Sequence, residues 1–160
     1  GSDLLGEQDK GYAALSATLD VGNTHLAAEL LGIAQESFDR TLQYLKERKQ
    51  FGALIGSFQA LQHRTAHWWS EVELCKSVVL KAAQTLDEGD AKSAALASIA
   101  KAKLCEVAEL ATNEAIQMHG GIGMTDEYEI GFFIKRARPA QMLYGDYGFH
   151  ADRFSMMNGY

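Results

Sequence analysis

Proline is almost missing from this chain: one residue, Pro139, in 160. Proteins built from many short strands and turns use proline freely as punctuation, so its scarcity points to long uninterrupted helices. Cysteine is nearly as scarce. Cys75 and Cys105 stand far apart and outside any CxxC pair. That excludes a disulfide scaffold or a zinc ribbon and reads as reduced core thiols in a cytoplasmic protein. Positive charge is also short, with 15 Lys and Arg against 21 Asp and Glu for a net charge of −6. A broad nucleic-acid or anionic-membrane surface is therefore not expected, although a local basic patch is compatible with the total. No apolar run approaches the roughly 20 residues of a membrane span. The first residues lack the basic and apolar regions of a signal peptide. Gly1-Ser2 reads as a cloning scar, residues 3–160 as a single domain, and the chain as a fragment of something longer. A hydrophobic fraction of 47% is enough for that domain to bury a core without staples.

Periodicity supplies the elements. Leu26, Leu30, Ala34, Phe38, Leu42 and Leu45 form one face of a first helix that should run to about Lys49. Phe58, Leu61, Thr65, Trp68, Val72, Cys75, Val79, Ala82 and Leu86 alternate steps of three and four, which is a helix seam. Gly89 stops it and Asp90 is placed to cap a third helix. The face of that third helix reads Leu96, Ala100, Leu104, Val107, Ala111, Ala115 and Met118. The alanines between Ala91 and Ala102 allow a neighbour to come close. Thr125 is placed to cap a fourth helix, with Asp126, Glu127 and Glu129 in its positive first turn. Pro139 should end or kink that helix, and a short fifth should follow Gly148. Three long antiparallel helices closed by two shorter ones make an all-α, up-down helical bundle.

Two stretches break the helical pattern. Gln117-Met118-His119-Gly120-Gly121-Ile122-Gly123 ends a helix on paired glycines, whose backbone can approach another molecule closely and present N–H groups to an anion. Far upstream, Arg48-Lys49-Gln50-Phe51-Gly52 sets a cation, an aromatic and a glycine together. Each has a plainer reading. Paired glycines often close a helix, Arg48 suits the end of a helix dipole, and Phe51 can simply anchor a bend.

Together with Ile55, Phe58-Gln59, Gln62-His63 and the later Tyr144-Gly145-Asp146, these stretches resemble the C-terminal helical domain of the flavin-dependent acyl-CoA dehydrogenases. The resemblance runs from about Gly6 to the end and covers the last of that family's three domains. It implies that Arg48 and Phe51 contact an FAD bound mainly by a neighbouring subunit. It also implies that Gln59 lies near the adenosine part, and that Gln117, Gly120 and Gly121 meet the pyrophosphate and adenosine region. A guanidinium fork and glycine amides suit phosphate oxygens. A site shared across subunits implies a homo- or hetero-oligomer, a dimer or dimer of dimers. The implied reaction oxidises an acyl-CoA to the 2,3-enoyl-CoA, with an electron-transfer flavoprotein as the usual acceptor.

The chain departs from the family where the chemistry is done. The usual base is a glutamate following a tyrosine, but Tyr144 is followed by Gly145. An alternative family position falls at Gly22 or Asn23, and neither is a carboxylate. Three readings follow. Asp146 serves as base and otherwise caps the terminal helix or pairs with an arginine. Alternatively, a partner subunit of a heteromeric enzyme supplies the base, as in bacterial relatives acting on bulky steroid-derived thioesters, and Gly145 leaves room for substrate beside Tyr144. Or the chain belongs to a non-dehydrogenating assembly module, in which the Gly145 N–H still polarises a thioester carbonyl.

Other candidates carry less. His63, His67 and Glu71 share a helix face, but the glutamate of HExxH is missing, so no metal site is expected. His150 is a proton-transfer type with nothing to place it. Trp68 and Trp69 suit the core and flank of the bundle. The glycine run follows a helix, so it is not a dinucleotide-binding fingerprint.

Overall fold

The computed structural model describes residues 6–160. Gly1-Ser2 lies outside the described residues. Three long helices, α1 (Tyr12–Glu47), α2 (Gln59–Asp87) and α3 (Ser93–His119), are followed by the shorter α4 (Ile130–Met142) and α5 (Tyr147–Met157). A small antiparallel hairpin, β1 (Lys49–Gln50) and β2 (Ala53–Leu54), interrupts the path between α1 and α2. Ion pairs report the helix directions. Arg64 near the start of α2 meets Glu114 near the end of α3, and Lys103 meets Glu71, at 2.7 and 2.6 Å. Arg40 near the end of α1 meets Glu129 before α4, and Arg136 meets Glu29. Thus α2 and α4 run against α1 and α3, and α5 packs on the end where α1 and α3 begin, through Arg153, Asp20 and Ser98. This is the expected all-α up-down bundle.

The core follows the faces read from periodicity. Leu30, Ala34, Phe38, Trp68, Val72, Cys75, Ala82, Ala100, Leu104, Val107, Ala111 and Ala115 are all buried. Trp68 stands edge-on to Phe38 at 5.2 Å, while the adjacent Trp69 is half exposed. The small side chains along α3 are buried where α1 packs against it, which lets two backbones approach closely. Both cysteines are free and buried, and burial pushes the Cys75 thiol up to about 11, so it is no nucleophile.

Several local expectations fail for identifiable reasons. Thr125 does not cap α4. Its hydroxyl donates back to Ile122 O at 2.8 Å, closing the 3-10 turn over Gly120–Met124, and α4 begins only at Ile130. The expectation that α4 ends near Pro139 is met: the proline lies in its last turn and the helix closes at Met142. The carbonyl it orphans belongs to exposed Lys135, where water can serve it. Asp90 accepts from Lys92 N at 2.8 Å in a turn, so α3 starts at Ser93 without a side-chain cap. Helix α1 stops at Glu47, because Arg48 takes an extended backbone leading into the hairpin. Helix α5 starts at Tyr147, before Gly148.

Candidate functional site

At the end of the bundle where α1 and α3 finish, a cleft of about 500 Å³ opens. Arg48 reaches it from the exit of α1, Gln117 from the last turn of α3, and Gly120 and Gly121 from the 3-10 turn. The helix stops here because Gly120 takes φ +66 and donates its N–H to Ile116 O and Gln117 O. A Cβ built on Gly120 or Gly121 would meet nothing within 4 Å, so both backbones face open space. Arg48 makes no ion pair among the described residues. Four of the residues singled out from sequence thus meet in one place.

Phe51 and Gln59 do not line that cleft. Phe51 sits at the hairpin tip with φ +54 and is 92% exposed, its ring 6.3 Å from that of Phe58. Gln59 is exposed at the first position of α2. One residue of the cleft carries a signal that sequence reasoning passed over. His119 is buried, stacks on Tyr44 at 4.3 Å and donates Nδ1–H to Ala115 O at 2.7 Å. Its Nε2 is then a bare acceptor and has no partner among the described residues. Burial lowers its pKa, which keeps the ring neutral.

The second candidate place is at the opposite end. Between α4 and α5 the chain makes a turn in which Tyr144 and Gly145 take φ +60 and +109. Two buried side chains hold it. Lys101, fully buried, donates to Gln141 O and Gly145 O at 2.9 and 2.6 Å, and desolvation lowers its pKa. His150, also fully buried, donates from Nε2 to Tyr144 O at 3.2 Å and accepts at Nδ1 from Ser98 Oγ. Ser98 in turn accepts from Arg153, which pairs with Asp20 at 2.6 Å. Burial between these cations pushes the His150 pKa down to about 4. Lys101 escaped the sequence reading because it lies one position beyond an apolar face, where lysine is ordinarily solvated.

The same turn gathers the positions at which a base was sought. Gly22 packs under Tyr144, and a Cβ there would lie 3.0 Å from the tyrosine ring. A Cβ on Gly145 would lie 2.3 Å from Phe149 Cδ1, so the room expected beside Gly145 is filled by Phe149. The Gly145 N–H points back to Met142 O at a long 3.4 Å. Asp146 caps α5, its Oδ1 accepting from Phe149 N at 3.0 Å, and lines a separate cleft of about 340 Å³ with Glu109 and Arg138. His63 and His67 join no group: among the described residues no three His, Cys, Asp or Glu side chains are placed to hold a metal, and Glu71 is paired with Lys103. No helix of the described residues is long and apolar enough to cross a membrane.

The fold is a helical bundle with a glycine-edged cleft at one end and a pinned, positive-φ turn at the other, and comparison with known proteins identifies the family. Residues 9–155 match the acyl-CoA dehydrogenase C-terminal domain, and the chain belongs to that family. It is 42% identical over 137 residues to a probable acyl-CoA dehydrogenase, YngJ of Bacillus subtilis, covering 86% of this chain and 36% of that protein. Butyryl-CoA dehydrogenase from Megasphaera elsdenii superposes with a TM-score of 0.92 at 32% identity, over 96% of this chain and 40% of that one. The Tcur3481-Tcur3483 steroid ACAD gives 0.87 at 33% identity, over 92% and 40%. The chain thus spans little more than a third of the length of such relatives.

Proposed function

We propose that this chain is the FAD-contacting, oligomerising C-terminal domain of an acyl-CoA dehydrogenase that oxidises an acyl-CoA thioester to its 2,3-enoyl-CoA. The observation that carries the reading is the cleft joining Arg48, Gln117, Gly120 and Gly121. Its chemistry fits a dinucleotide: a guanidinium without a carboxylate partner among the described residues, open glycine backbones, and the bare Nε2 of His119 close by. When bound, FAD supplies the hydride acceptor. Arg48 would hold phosphate oxygens as a planar fork, the side-chain-free backbones of Gly120 and Gly121 would admit the diphosphate without steric bulk, and Gln117 would hydrogen-bond beside them. Phe51 and Gln59, exposed at the hairpin tip and the start of α2, contribute from outside the cleft by meeting the cofactor of an adjoining subunit.

The cleft and the Tyr144 turn lie at opposite ends of α3, and Lys101 and Gln117 are 16 residues apart in the sequence, roughly 24 Å along a helix. One copy of this domain therefore touches two separate places. That supports a complete site assembled from more than one subunit, as a homo- or hetero-oligomer, with an electron-transfer flavoprotein as the external acceptor. The expected compartment is the cytoplasm.

A second reading is favoured by one feature. The space a side chain at position 145 would need is taken by Phe149, and Asp146 is engaged as a helix cap. This suits a non-catalytic subunit whose partner brings the base, and the steroid ACAD named as a pair is compatible with it. Flavin content of the native-length protein tests both. One FAD per subunit when it is produced alone, lost in Arg48→Ala while the helical circular dichroism persists, is the expected result. Flavin that appears only on co-production with a partner selects the second reading. Flavin retained unchanged in Arg48→Ala would overturn the assignment of the cleft.

A further inference from the structure

Beneath Tyr144 and Phe149 lies a cavity of about 110 Å³ whose lining combines Asn23, Ser16 and Arg153 with the apolar Leu19. Asn23 is 2% exposed, and its Oδ1 has no hydrogen-bond partner among the described residues. A buried amide oxygen without a donor is costly, and native proteins keep such groups rarely. Arg153 does not answer it: the bonds it makes run from Nη1, to Asp20 at 2.6 Å and Ser98 at 3.0 Å. The ion pair with Asp20 offsets the charge of Arg153, so the cavity carries no net charge that would favour a carboxylate or phosphate over a neutral group. Tyr12, Leu15, Tyr144 and Phe149 also line the cavity and are all exposed, which places it at the surface.

We propose that this cavity receives an uncharged hydroxyl or amide group of the acyl-CoA and that Asn23 is the residue that reads it. The inference rests on the acyl-CoA reading above. An amide both accepts and donates, and a hydroxyl matches it whichever way the Asn23 amide is turned. The volume admits one such group with its adjoining carbons and no whole acyl chain, since a water occupies about 30 Å³ of liquid. The place is right as well. Gly22, next to Asn23, packs under Tyr144, at the positions where the family resemblance sets the base and hence the reacting end of the acyl group. The hydrogen-bonding group has two possible sources, an oxygenated acyl tail or an amide of the pantetheine arm.

The test uses the native-length protein and thioether analogues, which bind without being oxidised: octyl-CoA and its hydroxylated positional isomers, titrated by calorimetry. The expected result is that one hydroxy isomer binds about tenfold more tightly than octyl-CoA, the scale of one buried hydrogen bond to a neutral group, and that Asn23→Leu removes this difference. Equal weakening of every CoA thioether by Asn23→Leu assigns the pantetheine amide as the group read and upholds the site. Unchanged affinities for all of them in Asn23→Leu overturn the proposal and leave the cavity to water. Failure of the wild-type protein to bind any of the thioethers would remove the acyl-CoA reading itself, and the inference with it. Should Asn23→Leu not fold, Asn23→Ser, which shortens the polar group and withdraws it from the cavity, takes its place with the same outcomes.

Discussion

Gly145 is where a single residue says most. Its φ of +109 suits glycine alone, and the position its Cβ would take is filled by the ring of Phe149. A glutamate placed there meets both penalties, so Gly145→Glu by itself is a poor route to an active base. The smaller change Gly145→Ala should lower unfolding free energy by about 2 kcal/mol, combining backbone strain with overpacking. In a Phe149→Ala background the steric part disappears, and the same substitution should cost about half as much. Denaturant titration of the four proteins measures that coupling. Additive effects would mean that Phe149 moves aside freely, and the closed-pocket interpretation would then fail. Asn23 and His119 belong to the same scale: each presents a buried polar atom without a partner among the described residues, which no periodicity in the sequence announces.

Among the elements, α5 shows how a plausible catalytic residue is claimed by local structure. Asp146 has the extended backbone of an N-cap and accepts from Phe149 N. Its substitution by alanine should therefore cost about 1 kcal/mol of stability by denaturant titration, with the loss concentrated in α5 amide protection. Asp146→Asn, which keeps the acceptor, should restore most of it. If Asp146→Asn were as damaging as alanine, charge and not capping would be what matters at this position. The elements also show what the sequence made legible. The long seams of α1, α2 and α3 are repeated over many turns, so each error is averaged away, and the core lies where periodicity puts it. The ends were misread because single side chains decide them. Thr125 turned its hydroxyl back to Ile122 instead of forward, and a two-residue hairpin offers no periodicity to detect. The cleft was legible through glycines and Arg48, whose backbone freedom and charge are intrinsic. Lys101 was not, because its burial depends on the α4 carbonyl and the Gly145 turn that tertiary packing brings to it.

At the scale of the whole molecule, the two ends of the bundle are coupled to the core by buried polar groups, and this gives the protein a definite acid response. His150 is fully enclosed, donates to Tyr144 O, accepts from Ser98 and lies near Lys101 and Arg153. Its folded pKa is about 4 against 6.5 in the unfolded chain. Between these values the unfolded state binds the proton and the folded state does not. Stability therefore rises with pH through this window and is lost as pH falls from about 6.5 toward 4. The size follows from the two constants: at pH 5 the unfolded state gains about 2 kcal/mol relative to pH 7.5. His119, whose pKa burial also lowers, adds in the same direction. His150→Gln retains a donor for Tyr144 O but cannot titrate. It should be less stable at pH 7.5, because the paired geometry with Ser98 is lost, yet lose about 2 kcal/mol less than wild type on going to pH 5. Denaturant midpoints at the two pH values decide the matter. An equal acid loss in both proteins would place the titration elsewhere. The expected difference would tie the acid sensitivity to the turn that carries Tyr144 and Gly145, whose carbonyls His150 and Lys101 hold.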